Sequence, residues 1–496
     1  MKKVIIIILL SLIVFLLSLF FSSNSYCKPP YYPGDWISYT VLRYVTSIAR
    51  DFNYIYFGTT GGISRYDFFA DSWLEPLTES DGLLDNRVEL LAYDASGNQL
   101  WIKTYSGICR YNISFGDFSY GGDFPYQLVH RDSSNFSFPS FFMDFGYSFY
   151  PEGYITDIYL NRYKVTDYLF DQWGGLWIGT WGLNAGVASL RYSELKMFSI
   201  GLYNEDVNAL LRDGNNLWFG GRTYYYGDFG ITRYNRKEGK WGYFDSNSLK
   251  ELSSREVTCM EKDSHYVWIG TTSGLLRYDK KKDSWKAYNT FKGLWNDQVT
   301  SLKADENILW IGTSWGLNFY LPKRDSIVRV KDDQIKGVHI YSIEKDSHFV
   351  WMGTEKGAFQ LNKASSELIR FNIPEGSLGF WVKAVFKYKD ELWFGTTDAV
   401  LGVNLKTKDR KVYQSPVTYP GSEVTKIVCD DENIWVGTIL GVWRLDRKRG
   451  LWKGYFKEDG LLENNIQDLL LDGDYIFFST QRGITRFYWN SPYRIE

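Results

Sequence analysis

From residue 35 onward, apolar and polar positions alternate over short runs, and each run ends in a cluster of Gly, Asp, Asn or Ser. Alternation with a period of two predicts half-buried β-strands, and the clusters predict tight turns between them. No apolar stretch with helical spacing of any length occurs outside the first residues. The expected class is all-β.

The strands recur as one unit. Its clearest form is Leu309-Trp310-Ile311-Gly312-Thr313, and the same element surrounds Trp101, Trp177, Trp218, Trp268, Trp351, Trp393 and Trp435. Tyr56 and Phe477 take the Trp place in two further copies, which makes ten. From Trp268 to Phe477 the copies follow one another at steps of 41 or 42 residues. An acid opens a turn shortly before most of these aromatics (Asp51, Asp94, Asp171, Asp213, Asp263, Asp305, Asp346, Asp430, Asp472), where its side chain can bond to the turn backbone. A β-like run precedes the acid, a glycine turn and a third strand follow the Gly-Thr, and a fourth strand is often opened by Trp, as at Trp285, Trp241 and Trp452. About forty residues per four-stranded unit is the spacing of a propeller blade. A blade buries its faces only against its neighbours, so the second-strand Trp is expected to fill the space between blades.

The ends of the chain predict how the ring closes. The last unit has three strands and no obvious fourth, whereas Asp35-Trp36-Ile37-Ser38-Tyr39-Thr40 looks like a fourth strand without its unit. The expectation is a single propeller over residues 35–496, of about ten blades, closed by the N-terminal strand. Two smaller rings, or an irregular ring of fewer blades, are the alternatives. The step from Trp101 to Trp177 is too long, and residues 118–161, rich in Phe, Tyr, Ser and Gly, are expected to be an insertion or an eroded blade.

Composition narrows the picture. Aromatic residues make up 18% of the chain, with 20 Trp and 45 Gly, and the net charge is −2 with both signs interspersed. No basic stripe for nucleic acid is present. Lys2 and Lys3 precede an unbroken apolar run from Val4 to Phe21, then small polar residues up to Cys27. Residues 1–27 therefore read as a signal peptide, cleaved before Lys28 or before Tyr26, or as a retained membrane anchor. A lipobox is poorly matched, because Asn24 and Tyr26 stand where an aliphatic and a small residue belong. Either way the remainder is expected outside the cytoplasm, periplasmic or extracellular, with the membrane touched only through an uncleaved leader. Cys109, Cys259 and Cys429 are far apart, show no metal spacing and read as small hydrophobes.

The unit resembles the two-component regulator propeller repeat, V-x-x-L-x-x-D-x-x-G-x-L-W-I-G-T-x-x-G-L-x-R-Y-D. Val299, Leu302, Asp305, Leu309 to Thr313 and Gly316-Leu317 fit it, as do Val257, Asp263, Val267 to Thr271 and Gly274 to Asp279. The resemblance implies an extracytoplasmic, sensor-type propeller of the kind found in hybrid histidine kinases, many tied to carbohydrate uptake, with relatives in secretion-system accessory proteins. No kinase or DNA-binding part follows Glu496, so the resemblance is taken to support recognition alone.

In such a propeller the turns between second and third strands share a face with the loops between blades. Two of those turns are expanded, Trp181 to Gly186 and Arg222 to Phe229; they carry Trp181, Tyr224, Tyr225 and Tyr226 and are expected side by side. Trp315 occupies a matching turn and Trp295 an inter-blade loop. Exposed aromatics on loops mark contact surfaces, although rings of this kind also simply cap blades. His265 and His348 hold equivalent turn positions, which repeat ancestry explains. No metal or cofactor is expected: the D-x-D-x-D-G calcium loop is absent, and one acid per turn ligates weakly. No catalytic residue is expected either. No pair of carboxylates is singled out, and neither a nucleophile elbow nor a P-loop is visible. The expected function is ligand binding, a glycan being one candidate. A scaffold binding an envelope or secretion protein is the alternative, and a polysaccharide-active enzyme comes third.

Overall fold

The computed structural model describes residues 31–32, 34–129, 138–150, 152–223, 229–306, 308–371, 381–397, 399–413 and 422–492. The leader lies outside these residues, and among them no helix is long and apolar enough to cross a membrane.

The chain is all-β, and its described residues form ten antiparallel sheets, nine of four strands and one of six. We number them as blades in chain order. Blades 1 to 3 span residues 45–77, 88–120 and 148–197, and blades 4 to 9 span 206–245, 257–288, 299–329, 340–370, 382–413 and 424–455. Blade 10 spans 468–488 and takes Trp36–Tyr39 as its fourth strand. That strand pairs antiparallel with Gly483–Tyr488, Trp36 opposite Phe487 and Tyr39 opposite Ile484.

One device joins several of the blades. The inner strand carries a bulge after its first residue, as between Val257 and Cys259 or Val299 and Ser301. The bulged side chain donates to the first carbonyl of the next blade's inner strand: Thr258 Oγ1 to Val299 O at 2.5 Å, Asn208 Nδ2 to Val257 O at 3.1 Å, Thr46 Oγ1 to Val88 O at 2.9 Å. The following residue often accepts an amide of that next strand, as Ser47 Oγ does from Leu91 N–H at 3.2 Å. In eight of the blades a Gly two places after the second-strand aromatic then admits the neighbour. A Cβ on Gly270 would stand 2.8 Å from Val299 Cγ1, and one on Gly437 would stand 2.9 Å from Ile466 Cγ2.

These contacts overturn the expected single ring of ten. Blades 4 to 10 form a closed ring of seven, because the inner strand of blade 10 packs on the inner strand of blade 4, whereas blade 1 meets blade 10 only through their outer strands. Gln467 Nε2 donates to Asp206 Oδ1 at 2.6 Å, and Asp468 Oδ2 accepts Leu210 N–H at 2.9 Å. With that face of blade 10 occupied, blade 1 has no place in the ring. Blades 3, 1 and 2 make a separate arc in that spatial order. Thr166 of blade 3 bonds to Val45 of blade 1, and a Cβ on Gly179 would stand 2.5 Å from Val45 Cγ1.

Blade 2 ends the arc, and its residues differ accordingly. Glu89 replaces the bulged Thr, Leu90 the accepting residue and Lys103 the Gly; Glu89 and Lys103 pair with each other at 3.1 Å. Trp101 is half exposed, whereas Trp177, Trp218, Trp268, Trp310, Trp351, Trp393 and Trp435 are buried between blades. Residues 118–120 belong to the fourth strand of blade 2, Asp117–Tyr120. The chain beyond them covers both open faces of the arc. Phe124 is buried near blade 2, and the turn Tyr126–Leu128 packs on its inner strand. Phe142, in the turn Ser140–Phe145, joins Ile155 to cover Leu176, Ile178 and Ala188 of blade 3.

Candidate functional site

The acid-opened turns build local structure. Asp263 Oδ1 accepts His265 N–H and Tyr266 N–H at 2.7 and 2.8 Å, and its Oδ2 accepts the Trp268 indole N–H at 2.7 Å. Asp171 does the same for Trp177 at 2.9 Å. His265 and His348 each share a hydrogen bond with the preceding serine in exposed turns. Among the described residues no cluster of three or more His, Cys, Asp and Glu side chains could hold a metal ion. Cys109, Cys259 and Cys429 are free, and burial pushes the thiols of Cys259 and Cys429 up to about 12.

The candidate aromatics do not form one cluster. Tyr224, Tyr225 and Tyr226 lie outside the described residues. Trp295 and Trp315 adjoin each other on the ring. Trp295 is half buried and fixed by its indole N–H on Val330 O at 3.2 Å, with Arg329 stacked over it, while Trp315 is exposed. Trp181 is 46% exposed on the second-to-third turn of blade 3, with its ring centroid 5.2 Å from that of Tyr44. The two expanded turns belong to blades whose inner strands are not neighbours, and most of the turn from Arg222 to Phe229 lies outside the described residues. Blade 3 packs on blade 1, and blade 4 packs between blades 10 and 5.

What approaches Trp181 is the seam between arc and ring. The linker 40–44 runs through it. Val41 bridges Gly201 ahead of blade 4, and Tyr44 bridges Trp181. The Arg43 carbonyl oxygen accepts Gly182 N–H at 2.9 Å and Asn184 N–H at 3.1 Å, which ties the turn after Trp181 to the linker. Beside this turn lies a cavity of about 200 Å³, lined by Arg43, Tyr147, Tyr163, Asn184, Tyr203 and Tyr243 among others. The Arg43 guanidinium donates to Tyr44 Oη at 2.8 Å and lies 4.1 Å from the Tyr203 ring centroid. Tyr243 donates to Ile200 O at 2.9 Å, and burial pushes its hydroxyl up to about 12. The cavity thus combines aromatic walls, one buried cation and hydrogen-bonding edges, which suits a small polar ligand. Sequence reasoning missed Arg43, because nothing local distinguishes it from a surface arginine.

Solved structures share this architecture. The extracellular domain of the putative hybrid two component system BT3049 from B. thetaiotaomicron matches at TM-score 0.50 and 17% identity, over 93% of this chain and 77% of that one. PorZ, a bacterial surface component of the type-IX secretion system of Porphyromonas gingivalis, matches at TM-score 0.50 and 13% identity, over 90% of this chain and 68% of that one. This chain has the β-propeller fold. The propeller is also similar to the extracellular domain of the putative hybrid two component system BT4673 from B. thetaiotaomicron, at TM-score 0.49 and 18% identity over 91% and 71% of the two chains. No family model matches the propeller, and no curated protein does.

Proposed function

We propose that this chain is an exported ligand-binding propeller of the sensing kind, and that its ligand seats at the seam between arc and ring. The observation that carries the reading is Trp181, an exposed indole that directly precedes Gly182, Leu183 and Asn184 in the wall of a cavity bounded by both units. Exposed aromatics beside a concave polar site give flat contact area to a bound ring or chain. Export is supported by the leader pattern and by the extracellular origin of structural neighbours. A glycan is the ligand class favoured here. The test is an immobilised glycan panel probed with the purified protein and with Trp181→Ala. Binding that disappears in the variant, at an unchanged melting temperature, supports the reading. Binding that survives in full removes Trp181 from it.

A second reading is a scaffold role in an envelope or secretion complex, favoured by the likeness to PorZ. Stoichiometric capture of one envelope protein, with every glycan unbound, would select it.

A further inference from the structure

Arg43 is 6% exposed and lines the seam cavity, yet among the described residues it has no carboxylate partner, and its Nε has no hydrogen-bond partner. Tyr44 and Tyr203 meet it with neutral groups, Tyr44 by its hydroxyl and Tyr203 by its ring face and its side-chain hydrogen bond, and neither supplies a formal negative charge. A buried cation without a counter-charge is strongly destabilising, so proteins ordinarily pair it. The carboxylates in the cavity wall do not fill that role. Asp157 accepts Tyr159 N–H, Asn161 N–H and Tyr163 Oη–H at 2.9, 3.0 and 3.1 Å. Asp245 Oδ1 accepts Asn247 N–H and Ser248 N–H, both at 2.9 Å. Both acids are committed to their own turns. A second unmet polar atom, Asn184 Oδ1, is buried in the same turn that Arg43 holds.

We propose that the seam cavity takes a small hydroxylated carboxylate, the size of one uronic acid ring, whose carboxylate supplies the counter-charge to Arg43. This rests on the ligand-binding reading and specifies its chemistry. The cavity, about 200 Å³, falls below drug-sized sites and suits a single ring. The tyrosine walls give that ring apolar faces, and the wall amides of Asn161, Asn184 and Asn247 meet its hydroxyls. Arginine suits the task because its planar fork matches a carboxylate.

Isothermal titration of the purified protein with glucuronate and galacturonate, against glucose and galactose, tests this. The expected result is binding of at least one uronate and at least tenfold weaker binding of its neutral counterpart. Arg43→Gln should abolish the preference. Tyr159→Ala changes an exposed wall residue with little risk to folding and should weaken uronate binding several-fold at an unchanged melting temperature. Neutral and acidic sugars bound equally, with no change in Arg43→Gln, would overturn the carboxylate assignment while leaving the ligand-binding reading intact. No binding of any of the four, alongside Trp181-dependent binding on the glycan panel, would overturn the cavity as the site.

Discussion

Thr166 Oγ1 donates a 2.8 Å hydrogen bond to the carbonyl oxygen of Val45, 121 positions earlier in the chain. The same bond in the ring joins a blade to the one that follows it in sequence, as Thr258 does with Val299. Here it joins blade 3 backward to blade 1, and so it separates the arc from the ring.

Burial of the repeated aromatic sets its contribution. Trp268→Ala is expected to lose about 3–5 kcal/mol, the range for truncating a fully buried large side chain. Trp101→Ala should lose roughly half of that or less, since its indole keeps part of its surface in water. Denaturant unfolding of both variants measures the difference, and equal losses would contradict the placement of blade 2 at an open end.

The glycine two places after that aromatic should resist enlargement, and only where a neighbouring blade packs on it. Gly270→Ala drives a Cβ to within 2.5 Å of Cys259 Sγ and 2.8 Å of Val299 Cγ1, and should cost about 1–3 kcal/mol by overpacking. Lys103→Gly, at the equivalent place in blade 2, should cost no more than about 1–2 kcal/mol, from backbone entropy and a partly exposed ion pair. Thermal unfolding monitored by tryptophan fluorescence ranks the two.

Deleting residues 35–41 should open the ring. Trp36 stacks on Phe487 with ring centroids 3.9 Å apart, and it packs with Tyr455 and Phe478 in one buried cluster. Removal exposes that cluster and leaves Gly483–Tyr488 as an unpaired edge, which favours aggregation. Calorimetry should show a markedly lower melting temperature, and light scattering should show association. An unchanged melting curve would contradict closure through this strand.

Asp167 gives a pH dependence with a defined sign. Burial raises its carboxyl to about 6, against the lowering effect of the Ile48 and Tyr168 amides that it accepts. The folded state therefore holds a proton that the unfolded state releases near pH 4. Its contribution to stability is full below about pH 4, declines as pH rises toward 6, and is flat above that. Asp167→Asn keeps an acceptor for Ile48 N–H but cannot ionise. The drop in melting temperature between pH 4.5 and pH 7 should be smaller in the variant than in the parent protein.

The candidate site was legible only in part. Trp181 stood out because its turn is longer than the repeat requires. Arg43 could not be found the same way, since its burial comes from Tyr203, 160 positions later, and from a turn of blade 3. The end of the arc did leave a trace. Lys103 in the Gly place marks a blade face with no blade beyond it, because that side chain does not fit between packed sheets; it pairs with Glu89 instead. The long step from Trp101 to Trp177 is the same break seen as length.

The sequence by itself determined the blade: alternation made the strands, Asp and Gly made the turns, and a Trp beside a Gly made one face ready for a neighbour. It also determined that the first strand and the last sheet belong together, because each is incomplete alone. Only the tertiary structure decided how many blades share an axis. The same kind of face, a Gly and a short polar side chain, recurs at most steps, so local pattern cannot say whether a blade meets the next one in the chain or an earlier one. That choice depends on the packing angle summed around the ring, and on the seam where arc and ring enclose Arg43.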